Sequence, residues 1–83
     1  MALNDKPQIS TVIDINLEGF HFHEDKKFNN YIVWLDDYDE PLRMTKCMAT
    51  ANKRDIPEKG NVISYTLDGY RLKNVKCLKI VNQ

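Results

Sequence analysis

Between Leu17 and Trp34 the chain reads LEGFHFHEDKKFNNYIVW, which places five aromatic rings, two histidines and two lysines within eighteen residues. Phe20 and Phe22 alternate with His21 and His23, so the phenylalanines share one face of an extended strand and the histidines the other. Rings held at strand spacing beside cations can stack nucleobases, at about 1–3 kcal/mol per base with little sequence preference. The candidate contacts are Phe20, Phe22 and Trp34 as stacking rings and His21 as a further base contact. Lys26 and Lys27, with Arg71 and Lys73 from the C-terminal end, would meet phosphates. The competing role for such rings is to fill a small core. Phe22 stands between the two, whereas Tyr31, Val33 and Leu35 read as core.

Other chemistries are poorly provided for. His21 and His23 project together and Glu24 and Asp25 follow, but a closed zinc site needs four ligands and no cysteine lies near. No Gly-rich phosphate loop, HExxH pair or nucleophile elbow is present, and Asp36 and Asp37 look like turn residues. No enzyme, cofactor or metal is expected. Cys47 and Cys77 form no CxxC pair. Buried free thiols are the expectation for both, with a bridge or redox role as the alternative.

Eighty-three residues make one domain, 1–83, with 1–7 as a loose N-terminal arm. Such a domain buries roughly 60–65% of its unfolded surface, so its core is small and dimerisation could strengthen it. The expectation is a monomer or weak homodimer. No apolar run approaches the roughly 20 residues that span a bilayer, and MALNDKPQIS lacks a signal pattern, which points to the cytoplasm. Net charge is zero. Residues 1–42 nevertheless carry nine acids against three lysines, and residues 43–83 nine bases against three acids. Such a split suits a basic binding face or two halves that attract each other.

The elements that must position these residues follow from periodicity. From Gln8, the series Ile9, Thr11, Ile13, Ile15, Leu17 alternates with polar residues and predicts a half-buried strand, broken only by Val12. Gly19 allows a bend where a long first strand curves. Phe20–His23, a polar turn over Glu24–Lys27 and a strand over Phe28–Leu35 follow. Asp36–Pro41 is a turn and Leu42–Met44 a short strand. Met44, Cys47, Met48 and Ala51 fall at helical spacing, which predicts a short helix over Thr45–Lys53, with strand and coil as alternatives. Asn61–Leu67 and Tyr70 onward read as a hairpin joined by Asp68-Gly69 in a type I′ turn. The last strand, running to Val81, lacks clean alternation, which either a bulge near Lys73-Asn74 or burial of both faces at the barrel seam would explain.

Five strands, with a helix possible between the third and fourth, give an all-β class: a five-stranded OB-fold-like barrel, with an SH3-like barrel as the rival. GFHF at Gly19–Phe22 followed by YIVW at Tyr31–Trp34 resembles the paired KGFGFI and VFVH motifs of cold-shock domains. The closing EKGNVISYTLDGYRLKNVKCL is similar to that family's last strands. The resemblance covers about two-thirds of the chain. It implies single-stranded RNA or DNA stacked on adjacent strands, with Phe20 and Phe22 on the first motif's phenylalanines and Trp34 at the second motif's histidine. Glu18 replaces a lysine of that pattern and Ile32 a stacking phenylalanine. The resulting expectation is a small binder of single-stranded nucleic acid. The alternative is a barrel that offers an edge strand, or the acidic loop Asp36–Glu40, to a protein partner.

Overall fold

The structure, a computed structural model, describes residues 6–51 and 56–78. It contains β1 (Gln8–His23), β2 (Lys26–Leu35), β3 (Leu42–Cys47), β4 (Val62–Asp68) and β5 (Arg71–Cys77). These close into a barrel in the order β1-β2-β3-β5-β4. β1 returns to pair with β4, and β3 meets β5 in parallel at the single bridge Arg43↔Arg71. The chain is thus all-β, a five-stranded OB-like barrel. No helix among the described residues is long and apolar enough to cross a membrane.

The long first strand does two jobs. Gln8–Thr11 pair with β4, and from Val12 to His23 the strand pairs with β2. Register shifts between Val12 and Asp14 and between Leu17 and Gly19 insert Ile13 and Glu18 as extra residues. These bulges overturn the simple alternation expected from the sequence. Ile9, Ile13 and Leu17 are 60%, 50% and 58% exposed, whereas Ser10 and Val12 are buried. Val12, which breaks the apolar series, is therefore the residue that enters the core. An extra residue reverses the facing of everything after it, so Ile15 can join the core's margin on the same side as Val12.

The core consists of Val12, Tyr31, Val33, Leu35, Leu42, Met44, Ile63, Tyr65, Leu72 and Val75. Every strand contributes, as closing a ring requires. Thr45–Cys47 lie within β3, and Met48–Thr50 form a turn, so the short helix expected there is not formed. Asn52 and Lys53 fall outside the described residues, as do the first five residues of the expected arm and the end of the expected last strand. Pairing with β2 explains the outcome, because Thr45, Lys46 and Cys47 meet Asn30, Asn29 and Phe28 across the sheet. Ladder pairing to a long neighbour outweighs a weak local period. The β4–β5 loop is Gly69-Tyr70, since Asp68 pairs with Arg71. Only Gly69 there has positive φ (65°), which is the type II′ pattern and not type I′. The bulge in β5 sits at Asn74, with φ of 54°.

The acidic loop is stitched to β1. Thr11 N–H donates to Asp36 Oδ1 at 3.0 Å, and Asp36 N–H donates to Thr11 O at 3.1 Å. Ser10 Oγ donates to Asp37 Oδ2 at 2.8 Å and lies 2.6 Å from the Tyr65 hydroxyl. Burial pushes the Tyr65 hydroxyl from its ordinary value near 10 up to about 12, with the Ser10 bond pulling the other way. The folded state holds this proton more tightly than the unfolded chain. Its contribution to stability is whole below pH 10 and is lost as pH rises through about 12. Chemical unfolding measured across that window should show stability falling more steeply in the wild type than in Tyr65→Phe.

Candidate functional site

Two pairings end early, and this creates the candidate site. β4 leaves β1 at Thr11, and β5 bridges β3 only at Arg43. The β1-β2-β3 sheet therefore continues past the barrel rim as a hairpin joined to β3. His23 pairs with Lys26, so the turn is only Glu24-Asp25. Lys26 and Lys27 accordingly belong to β2 and not to the turn, as the sequence had suggested. Glu24 and Asp25 have φ of 53° and 67°, the geometry of a type I′ turn without its usual Asn-Gly.

Cross-strand partners share a face, so the register assigns every ring. Tyr31 is buried, which makes the odd-numbered residues of β2 the inward set. Phe20 pairs with Asn29 and Phe22 with Lys27, so both phenylalanines continue the barrel's inner face beyond its rim. No described residue covers them there: they are 60% and 64% exposed. Their rings meet edge to face at 6.0 Å, and Lys27 Nζ lies 4.6 Å from the Phe20 centroid, a cation–π contact.

The other face is built differently. His21 stacks on Phe28 at 5.3 Å with an interplanar angle of 7°, and His23 meets the same ring at 6.4 Å. Asn30 Nδ2 lies 3.0 Å from His21 Nδ1. The orientation of that amide is fixed by Thr45 Oγ1, which donates to Asn30 Oδ1 at 2.9 Å. An amide nitrogen only donates, so in this contact His21 Nδ1 is the acceptor. Trp34, 37% exposed, lies on this outer face opposite Asp14. The structure thus separates the expected stacking rings: Phe20 and Phe22 on one face, His21 and Trp34 on the other. The bulge at Glu18 is the cause.

The cations divide as well. Phe20, Asn29 and Lys46 form one row across three strands, which places the Phe20 and Lys46 backbones about 10 Å apart at ordinary strand spacing. Lys46 also lines a groove of about 350 Å³ where β3 and β5 diverge. Met44, Leu72 and Val75 line it together with Arg71, Lys73 and Asn74. Arg71 and Lys73 line the same groove as Lys46, although the Arg43↔Arg71 bridge sets Arg71 on the outer face with Arg43. Lys73 also reaches Asp68 at 3.4 Å on the surface, whereas Lys26, Lys27, Lys46 and Arg71 have no carboxylate partner among the described residues. Glu18 is neutralised by Arg43 at 2.8 Å.

With Thr45–Lys53 read as a helix, Lys46 counts only as one of its basic residues and not as a contact. A strand reading of Thr45–Cys47 would have placed it in line with Met44. Cys47 and Cys77 are half-buried and not bridged to one another. The Cys47 thiol is drawn below its usual value, chiefly by the backbone N–H of Ala49. Among the described residues no group of three or more His, Cys, Asp or Glu is placed to hold a metal. No protein-family model, curated protein or solved structure matches the chain.

The turn yields a direct test. Left-handed backbone at a non-glycine residue costs of order 1–3 kcal/mol. Replacing Glu24-Asp25 by Asn-Gly should raise stability by about 1–2 kcal/mol in urea unfolding, with the hairpin register kept in the NMR spectrum.

Proposed function

We propose that this chain binds single-stranded nucleic acid with little sequence preference on the inner face of its projecting hairpin. Phe20 and Phe22 stack bases, and Lys27, Lys46, Arg71 and Lys73 lie along the phosphate path into the β3–β5 groove. The observation that carries this reading is the uncovered pair of phenylalanine rings with an ammonium already over one of them. Water gains nothing from such rings, and a soluble domain seldom leaves two large rings side by side without a ligand to cover them. The cold-shock resemblance supports the same class of ligand. In this reading Trp34 and His21 lie outside the contact surface, because they face away from Phe20 and Phe22.

The acidic-loop alternative has less to offer a partner. Asp36 and Asp37 are already bonded to Thr11 and Ser10, which leaves Asp39 and Glu40 as the loop's uncommitted acids among the described residues.

Fluorescence anisotropy of labelled oligo-dT or oligo-U at low salt tests the proposal. Binding should weaken with a log–log salt slope of about −3, the value for four phosphate contacts to a single strand. Phe22→Ala should weaken binding by about 1–3 kcal/mol, with an unchanged circular dichroism spectrum because the ring is exposed. Trp34 emission should barely change on binding. Absence of binding at low salt, or full affinity in both Phe20→Ala and Phe22→Ala, would overturn the proposal.

A further inference from the structure

The same hairpin leaves a strand edge open. β1 bonds to β4 only over Gln8–Thr11, and the last contacts on that side are Val12 N–H to Asn61 O and Gly60 N–H to Val12 O, both 2.8 Å. From Asp14 to His23 no strand among the described residues pairs with the edge of β1 that faces away from β2. Ile15 N–H instead takes its neighbour's side chain, Asp14 Oδ1, at 2.9 Å.

We propose that two copies of this chain associate by antiparallel pairing of these free β1 edges, with Leu17 of one copy opposite Phe20 of the other. The hydrogen-bonding phase of the edge supports this register. Lys27 O accepts from Met48 N–H on the β3 side, so the odd residues of β2 bond toward β3 and the even ones toward β1. Their partners Asn16, Gly19 and His21 are occupied by β2. Ile15, Leu17, Phe20 and Phe22 therefore turn their N–H and C=O groups outward.

Antiparallel pairing about the Glu18 bulge brings these outward groups into register. Leu17 meets the second copy's Phe20, and Ile15 meets its Phe22. On the opposite face Asn16 meets His21, and Asp14 meets His23. Apolar residues thus face apolar ones, and at each end a carboxylate faces an imidazole. The two bulges lie opposite each other, and Gly19 faces the second copy's Glu18, leaving that side chain room to keep its bond to Arg43. Any other register sets a bulge against regular strand.

The edge is also only partly protected. Natural edges are blunted by charged side chains, proline or bulges; β1 carries two bulges and the acids Asp14 and Glu18, but neither lysine, arginine nor proline. Leu17, Phe20 and Phe22 are all more than half exposed along it. Because the two-fold axis stands perpendicular to the sheet, both Phe20/Phe22 pairs fall on one continuous face. The association does not depend on the nucleic-acid reading, although it would double that surface.

Sedimentation equilibrium of the intact chain without nucleic acid tests this. The 9.7 kDa monomer should give way to a dimer as concentration rises. Leu17→Lys should raise the dimer dissociation constant by at least about tenfold, since two cross-strand contacts are lost per dimer. Ile9→Lys, on the part of β1 already paired with β4, should leave it unchanged. In a mixture of labelled and unlabelled wild-type protein, isotope-filtered NMR should detect a contact between Leu17 methyls and the Phe20 ring of the other copy. A monomer at every concentration, a dimer indifferent to Leu17→Lys, or absence of that contact would overturn the proposal. Oligonucleotide binding by the monomeric Leu17→Lys protein separates this outcome from failure of the binding reading.

Discussion

Strand register in β1 is the constraint on which the rest depends. A single extra residue turns every later side chain to the opposite face. β1 contains two such insertions, Ile13 and Glu18. The first lets one strand close the ring with β4 and still send Val12 and Ile15 inward against Leu35 and Val33. The second sends Phe20 and Phe22 onto the inner face, where they run past the rim. Without it, that face would carry Gly19 and His21, and the phenylalanines would lie beside Trp34.

The barrel supplies the rigidity this projection needs. Ser10 and Asp37 tie β1 to the loop after β2, and Tyr65 extends the tie to β4. These bonds anchor the base of the hairpin in a closed hydrogen-bonded ring. Beyond the rim, order comes from cross-strand pairs: the His21–Phe28 stack on one face and the Lys27–Phe20 contact on the other. The Asn30–His21 and Thr45–Asn30 bonds carry that order into β3. The face opposite the phenylalanines is thereby satisfied internally, while theirs is left to find a partner. Among the described residues the charge asymmetry of the chain is used between its halves in the exposed Glu18–Arg43 pair. Lys46 and Arg71, both from the basic half, remain without a carboxylate partner among the described residues.

Much of the fold was legible because five apolar runs separated by turn residues leave few ways to build a small β-domain. The inward set of β2, namely Tyr31, Val33 and Leu35, obeys plain alternation and could be read directly. β1 could not, because a bulge leaves no mark in composition: Ile9 and Ile13 stay outside the core, and Leu17, although it pairs with inward Tyr31, is left more than half exposed. The helical spacing of Met44, Cys47, Met48 and Ala51 misled for a related reason: local period carries no information about a neighbouring strand. In the β4–β5 loop, Asp68-Gly69 signalled a hairpin correctly, but the pairing of Asp68 with Arg71 moved the turn by one residue. The same limit applied to the site. Phe20 and Phe22 were legible as a pair, whereas their separation from Trp34, and their alignment with Lys46, depend on a register that only coordinates reveal.

The central claim is that Phe20 and Phe22 form an uncovered face, distinct from the one holding Phe28. The chain has three phenylalanines, so fluorine NMR of protein labelled with 4-fluorophenylalanine should give one resonance for each. The account predicts that two signals shift on exchange from H2O to D2O and shift again when oligo-dT is added, while the Phe28 signal, shielded by His21, changes least. If the oligonucleotide moves Phe28 and leaves the other two in place, or if no signal senses the solvent, the account is contradicted.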